Sequence, residues 1–221
     1  ADKFNTLQMG MVAAERVFDI LDKEEPLKYR TVKLPKNLKG EICIEGLNFS
    51  YVSGQEVLKN INIIVNPGEK IALVGSTGSG KSTLVNLLLL LYDFKTGDIK
   101  VDGISIKTVS KSNLRSNIAS VSQDIFLFAD SIFNNVTLYN PKISLNDVEK
   151  AAKEIGVDKF INRLPNGFKY VVNEGGTILS AGQRQLISFL RAYVSSPKIL
   201  ILDEATSSVD SFTEELIQTA T

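Results

Sequence analysis

The 221-residue sequence contains no histidine and no tryptophan, and Cys43 is its single cysteine. Without histidine a Ser-His-Asp triad is excluded, and most zinc sites lose a usual ligand. One cysteine forms no internal disulfide, and no signal-peptide pattern opens the chain, so we expect a reducing, cytosolic setting. Because no histidine can activate its thiol, Cys43 is expected to be a small buried filler rather than a nucleophile.

Net charge and long apolar runs are also lacking. The 25 lysines and arginines equal the 25 aspartates and glutamates, so no basic surplus indicates nucleic-acid binding. The longest apolar run, residues 87–91, is far shorter than the roughly 20 residues that span a bilayer. The hydrophobic share of 43% is that of an ordinary globular protein, and the length suits one large α/β domain.

One glycine-rich stretch is typical of a phosphate-binding loop. It reads Gly75, Ser76, Thr77, Gly78, Ser79, Gly80, Lys81, Ser82 and Thr83. The apolar residues 70–74 before it predict a buried strand, and residues 81–91 predict a helix, which is the context that the P-loop pattern requires. Glycines let the backbone curl around an anion, and the helix N-terminus supplies positive partial charge. A plain tight turn is the alternative interpretation.

In this loop Lys81 is expected to reach the outer phosphates of a nucleoside triphosphate, and the Ser82 hydroxyl to ligate Mg²⁺. Asp203 ends a second apolar run, residues 199–202, where an uncompensated charge is costly to bury. Mg²⁺ at the loop would compensate it, since the acidic strand of P-loop proteins lies beside the loop's own strand. Glu204 is then positioned to take a proton from water that attacks the γ-phosphate. The alternative is that Asp203 and Glu204 are a pair of carboxylates that cap the next helix.

The remaining patterns predict a mixed α/β architecture. Residues 40–65 alternate as β-strands, and residues 98–106 read as two short strands around the hairpin dipeptide Asp102-Gly103. A strand is predicted at residues 118–122, and helices at residues 144–155 and 183–194. The fold class is therefore α/β: a P-loop NTPase core with a mixed sheet, an N-terminal antiparallel β subdomain and a helical subdomain at about residues 124–196.

Further motifs follow in a fixed order, and with them the chain from about Gly40 onward resembles the ATP-binding cassette (ABC) family. Leu179-Ser180-Ala181-Gly182-Gln183 looks like the family signature, and Ser207-Ser208-Val209-Asp210 resembles its D-loop. Gln123 falls where the family has its Q-loop glutamine, and Tyr51 matches the aromatic residue that stacks on adenine. Taken singly, Gln123 is also compatible with a solvated loop and Tyr51 with a strand core.

The resemblance implies an Mg²⁺-dependent ATPase that works as a head-to-tail dimer with a second nucleotide-binding domain. Its catalytic residues would be Glu204, Lys81 and Gln123, and its Mg²⁺ ligands Ser82, Gln123 and Asp203. The ATP-binding residues would be Tyr51, the nine residues Gly75 to Thr83, and Gln123, together with Ser180, Gly182 and Gln183 on the partner domain. The signature residues open a helix, so their hydroxyl and amide groups suit an anion brought by a partner.

Two positions depart from the family pattern. Ala181 stands where the family has glycine, and its methyl group either weakens closure slightly or is tolerated. Asn173 replaces a usual glycine before Glu174-Gly175-Gly176, which is similar to the acidic loop of exporter-type cassettes. A solvated turn glutamate is the alternative for Glu174.

The first 39 residues predict a linker helix and connector from an upstream membrane domain. Leu7, Met11, Ala14, Phe18 and Leu21 share one face of a helix that Pro26 terminates. The run Ala13-Ala14-Glu15-Arg16-Val17-Phe18 resembles the junction after the last transmembrane helix of fused half-transporters. An ordinary N-terminal helix is the alternative. Residues 40–221 would form the ATPase domain, truncated before the family's switch histidine and therefore weakly active or inactive alone.

The leading hypothesis is ATP binding and hydrolysis that powers substrate export across a membrane. The domain would lie at the cytoplasmic face of that membrane, with a transmembrane domain fused N-terminally and no nucleic-acid partner. The alternatives are a soluble non-transport ABC ATPase, an importer cassette, and a non-hydrolysing nucleotide-binding half of an asymmetric dimer.

Overall fold

The computed structural model describes residues 2–22, 30–122 and 124–203 of the chain. They divide into two units, with the boundary between Arg30 and Thr31. The first unit contains helix α1 (Asp2–Leu21). The helix predicted there is confirmed, whereas Pro26 lies outside the described residues. Among the helices that the structure describes, none combines the length and hydropathy that a membrane crossing requires.

Four antiparallel strands form the first sheet of the second unit. They are β1 (Ile42–Ser50), β2 (Glu56–Val65), β3 (Thr96–Val101) and β4 (Ile104–Ser105), in the order β2-β1-β3-β4. Asp102 and Gly103 both have positive φ angles, of 47° and 77°, as the tight turn between β3 and β4 requires. The predicted antiparallel subdomain and its hairpin are therefore confirmed.

Helix α2 (Lys81–Leu88) packs one face against this sheet. Its buried residues Thr83, Leu84, Leu87 and Leu88 recur at helical spacing. The helix ends three residues before the predicted end at residue 91, because Leu90 turns to a φ of 51° and the Leu91 amide bonds back to the Asn86 carbonyl. The Arg115 guanidinium, on helix α3 (Lys111–Asn117), donates to the Leu89 and Leu90 carbonyls and stabilises this end.

Two parallel strands, β5 (Ile118–Val121) and β6 (Ile199–Leu202), form a separate small sheet. Alternate residues of β6 contact different hydrophobic clusters, as the two-residue period of a strand dictates. Ile199 and Ile201 pack with the cluster formed by the antiparallel sheet and α2, whereas Leu200 packs with the helical cluster. Asp203 therefore follows a strand that lies between the two parts of the core.

The helical part contains α4 (Ile132–Thr137), α5 (Leu145–Glu154), α6 (Asp158–Ile161) and α7 (Ala181–Val194). Two 3₁₀ turns, Gly167–Lys169 and Glu174–Gly176, lie in the long connection before α7. Helix α7 packs against α4, α5 and β5, and Ile187, Phe189 and Leu190 are almost completely buried. This cluster confirms the predicted helical part of the α/β fold.

The strand predicted at residues 70–74 is wrong. These residues form no strand, and Ile71, Leu73 and Val74 are 47%, 42% and 93% exposed. An apolar run becomes a buried parallel strand only between neighbouring strands. Among the residues that the structure describes, no strand pairs with this segment. Cys43 is likewise half-buried instead of buried, and its thiol contacts the Glu45 carboxylate.

Residues 31–41 belong to the second unit. Val32 forms a parallel bridge with Val109, and the Leu34 amide donates to the Asn113 side chain. The Asp102 carboxylate accepts the amides of residues 39, 40 and 41 at 2.6, 3.0 and 2.8 Å. Main-chain and side-chain hydrogen bonds therefore fix this segment to the β3–β4 turn and to the residues at and just before α3.

Candidate phosphate-binding site

Glycines shape the loop that precedes α2. Gly80 has a φ of 93°, and a Cβ there would lie 2.6 Å from Leu58 Cδ2. At Gly75 a Cβ would approach the Ser79 hydroxyl to 2.7 Å. The Ser79 amide donates to the Ser76 carbonyl over 3.1 Å and closes the turn. Glycine is therefore favoured at position 80 by its positive φ, whereas a side chain at position 75 would require the Ser79 side chain to move, as expected for a loop that curls tightly.

The loop concentrates positive charge at the N-terminus of α2. No side chain caps this end of the helix, so its first-turn amides are left for another acceptor. Lys81 Nζ donates to the carbonyls of Gly75 and Ser76 at 2.7 and 3.1 Å, which holds the ammonium group against the loop. Amide groups, a helix N-terminus and a lysine together suit a phosphate group.

Ser82 and Asp203 meet beside this loop. The Ser82 hydroxyl donates to Asp203 Oδ2 over 3.4 Å, and the Asp203 amide donates to the Val121 carbonyl, which extends the pairing of β6 with β5. Two oxygens at adjacent corners of an Mg²⁺ octahedron lie about 3 Å apart, because each Mg–O distance is about 2.0–2.1 Å. The donor set and its spacing thus fit Mg²⁺ after a small shift.

Tyr51 contacts the same helix from the antiparallel sheet. Its hydroxyl donates to Thr83 Oγ1 over 3.1 Å, and the residue is 47% exposed. The ring lies 4.9 Å from that of Phe49 and 5.0 Å from that of Tyr92, with interplanar angles of 86° and 84°. Sequence reasoning predicted Tyr51 at this site but missed Tyr92, for which its position just beyond the loop helix was the available signal.

The signature residues form the start of α7. Ser180 is its N-cap: the Ser180 hydroxyl accepts the Gln183 amide, and Gln183 Oε1 accepts the Ser180 amide, at 3.2 and 3.0 Å. Ala181 and Gly182 follow as the first two helical residues. The Ala181 side chain is exposed, so its methyl group displaces nothing within the described part of the chain.

The acidic loop before the signature, Glu174 to Gly176, is hydrogen-bonded to the core. Glu174 is exposed, and the Gly175 amide donates to the Leu127 carbonyl over 2.8 Å. Asn173 has an ordinary φ of −74°, and its side chain bonds to the Thr177 hydroxyl and the Ile178 amide. No positive φ demands glycine at position 173, so asparagine is accommodated without backbone strain.

Asn135 and Arg191, which sequence reasoning missed, hold the segment that follows Gln123. The Asn135 side chain is 1% exposed and bonds to main-chain groups of residues 128, 130 and 131. Arg191 donates to the carbonyls of Asn135 and Phe126 at 2.8 and 3.3 Å. Burial lowers the pKa of the Arg191 guanidinium from its usual value. The sequence offers no period or motif that would have identified either residue.

Some predicted site residues lie outside the described part of the chain. These are Gln123, Glu204 and the D-loop residues Ser207 to Asp210. Within the described part, two residues of the loop meet predicted partners from elsewhere in the chain: Thr83 contacts Tyr51, and Ser82 contacts Asp203. Ser180 and Gln183 pair with each other at the start of α7.

Comparison with known proteins gives a consistent match. A family model described as "ABC transporter" matches residues 58–207. The chain is 43% identical over 220 residues to a fatty acid ABC transporter ATP-binding/permease protein of Mycobacterium bovis, covering 100% of the chain and 35% of that relative. It is 40% identical over 212 residues to the multidrug resistance protein pgp-1 of Caenorhabditis elegans, covering 94% of the chain and 16% of that relative.

A solved structure is similar over nearly the whole chain. It is that of a bacterial Atm1-family ABC exporter with ATP bound, and the match has a TM-score of 0.86 at 32% identity. The match covers 98% of this chain and 38% of the exporter chain. The chain thus spans between 16% and 38% of the length of the relatives described here.

Proposed function

The chain belongs to the ATP-binding cassette transporter family as a nucleotide-binding domain of the exporter type, and from this we propose that it binds and hydrolyses Mg-ATP to drive substrate export across a membrane. Members of this family are generally ATPases. In the proposal the domain works at the cytoplasmic face of the membrane. It is fused to a transmembrane domain, as the names of ATP-binding/permease relatives suggest.

The observation that carries the proposal is the approach of Ser82 and Asp203 beside a cationic glycine loop. The loop amides and Lys81 would bind the β- and γ-phosphates. Ser82 and Asp203, with Gln123, would hold Mg²⁺, which when bound offsets the negative charge of the phosphates. A carboxylate next to a triphosphate is repulsive unless a cation lies between them, so the pair favours a metal nucleotide over a bare one.

The remaining residues are assigned roles from their chemistry together with the family resemblance. Glu204 would act as the general base for the attacking water. Ser180 and the amides at Ala181 and Gly182 would bind the γ-phosphate carried by a second nucleotide-binding domain, in a head-to-tail dimer. Glu174 would face the membrane domain.

Steady-state hydrolysis tests the enzymatic part. On the intact native chain, Glu204→Gln is expected to slow ATP turnover by roughly 10²- to 10⁴-fold while ATP affinity is kept, because only the base is lost. Glu154→Gln, at an exposed glutamate on α5, is the matched control and should keep both ATP affinity and turnover. Equal loss of affinity and turnover in Glu204→Gln would contradict the assignment of this residue as base.

Cell fractionation tests the transport part. The native polypeptide should be found in the membrane fraction, need detergent for release, and have at least about twice the mass of a 24.2 kDa chain. A cassette-sized product stripped by alkali would indicate an importer-like subunit instead. A product free in the cytosol would overturn the export proposal in favour of a soluble ATPase.

A further inference from the structure

We propose that Tyr92 and the Thr83 hydroxyl are positioning residues that hold the Tyr51 ring in place for the nucleobase, so that base stacking and phosphate binding act as one site. This inference rests on the proposed ATP-binding function. It adds Tyr92, and it gives the Thr83 side chain a role toward the base as well as toward the phosphates.

Tyr51 is contacted by a residue in the first turn of helix α2 and by a residue that follows its C-terminal end. Thr83, in the first turn of the helix, fixes the tip of the Tyr51 ring through the 3.1 Å hydrogen bond. Tyr92, four residues beyond the end of the helix at Leu88, meets the ring at 84° with centroids 5.0 Å apart. The three rings of Phe49, Tyr51 and Tyr92 contact one another, since the third pair is 6.1 Å apart. Such edge-on aromatic contacts restrict the ring plane.

Pre-positioning matters because Tyr51 is half exposed. A free surface tyrosine must lose side-chain entropy when a base stacks on it, which subtracts from affinity. A ring already fixed by a hydrogen bond and two aromatic neighbours has lost that freedom before the ligand arrives. Tyr92 is itself 45% exposed, whereas Phe49 is 8% exposed and forms the buried base of the cluster.

The Thr83 hydroxyl can serve both parts of the ligand. A threonine hydroxyl offers one donor and two acceptor positions. One acceptor position takes the Tyr51 proton, so the hydroxyl proton remains available to donate to a second partner. Thr83 is 7% exposed, so its hydroxyl is held in one place rather than moving freely in solvent.

The test measures the affinity of the intact native chain for Mg-ATP and for Mg-tripolyphosphate, which lacks the base, by calorimetry. Tyr92→Leu is expected to weaken ATP binding about three- to tenfold and to leave tripolyphosphate binding unchanged, as loss of an aromatic contact predicts. Tyr92→Phe keeps the ring and should restore ATP affinity to within about twofold of the wild type.

A double-mutant cycle tests the hydrogen bond. Tyr51→Phe should weaken ATP binding about three- to tenfold in the wild-type background and hardly at all in Thr83→Val, because the partner is then already missing. If Tyr51→Phe weakened ATP binding by the same factor in both backgrounds, the proposed role of this hydrogen bond would be overturned.

The two ligands separate failure of this inference from failure of the proposed function. If Tyr92→Leu weakened both ligands equally, or neither, Tyr92 would have no positioning role. If the wild type bound ATP no more tightly than tripolyphosphate, the inference would be overturned while the phosphate site stood. If the wild type bound neither ligand, the proposed function would be overturned, and the inference with it.

Discussion

The Ser82 hydroxyl donates to the Asp203 carboxylate across 121 positions of sequence. The contact, at 3.4 Å, is longer than the usual 2.7–2.8 Å of a hydroxyl hydrogen bond, so it is weak on its own. Ser82 is fixed by α2, and Asp203 by its main-chain bond to Val121. Two independent elements thus hold two oxygen ligands beside a cationic loop, which is the arrangement that a metal nucleotide requires.

We predict that Lys81 supplies a large part of the affinity for the phosphates of ATP. Lys81→Ala should weaken ATP binding about 10- to 100-fold, the range for losing a charge-assisted hydrogen bond. Lys70→Ala removes a nearby exposed lysine and is the matched control, with a change within about twofold. Titration calorimetry measures both. Undiminished affinity in Lys81→Ala would contradict the phosphate role that its position against the loop suggests.

Two glycines with similar φ angles are predicted to differ in their tolerance of alanine. At Gly97 (φ 80°) a Cβ would lie 2.5 Å from both the Gly46 oxygen and Leu47 Cα, whereas at Gly103 (φ 77°) it would meet nothing within 4 Å. Gly97→Ala should lower the free energy of unfolding by about 3 kcal/mol or more, since overpacking adds to backbone strain. Gly103→Ala should lower it by only about 1–2 kcal/mol. Similar unfolding midpoints in urea would refute this difference.

The capping box of α5 is predicted to make stability depend on pH. Ser144 donates to the Asp147 carboxylate through its hydroxyl and its amide, and these bonds lower the pKa of Asp147 from its usual value. The stabilisation is complete above the unfolded pKa of about 3.9 and is lost as the pH falls through the lower folded pKa. Ser144→Ala removes the N-cap hydroxyl and both of its hydrogen bonds to Asp147, so it should lower the urea midpoint of unfolding at pH 7.

Urea unfolding at two pH values measures this effect. The difference in unfolding midpoint between Ser144→Ala and the wild type should narrow at pH 3, because this pH lies below the unfolded pKa of aspartate and unfolding is then coupled to proton uptake by Asp147. Asn146→Ala changes an exposed first-turn residue outside the box and should not destabilise the helix. If the loss of stability in Ser144→Ala were the same at both pH values, the Asp147 carboxylate would contribute nothing to the stability of the helix.

The local patterns of the sequence predicted most of the elements, and the family resemblance is confirmed. The helix predicted at residues 144–155 is α5, and its capping serine is in place. The hairpin at Asp102-Gly103 and the strand at residues 199–202 also follow the sequence. These features depend on residues close together in the chain, so periodicity and turn chemistry suffice to identify them.

Features that depend on distant partners could not be predicted from the sequence. The strand expected at residues 70–74 has the right composition, but pairing depends on which strands lie beside it. Leu90 ends α2 in a left-handed conformation although no glycine marks the position, and Arg115 binds the carbonyls there from another helix. Tyr92 and Asn135 likewise gain their roles only through contacts that the fold creates.

The most direct test of the proposed site is the Mg²⁺ dependence of ATP binding in Asp203→Asn. ATP affinity of the intact native chain would be measured with Mg²⁺ and with EDTA, for the wild type, for Asp203→Asn and for the control Asp124→Asn, an exposed aspartate. We expect the wild type and the control to bind ATP more tightly with Mg²⁺. We expect Asp203→Asn to lose about tenfold or more of that gain, as for one ionic contact. Its affinity in EDTA should be at least that of the wild type, because a carboxylate that repels the metal-free triphosphate is removed. Full retention of the Mg²⁺ effect in Asp203→Asn would contradict the account.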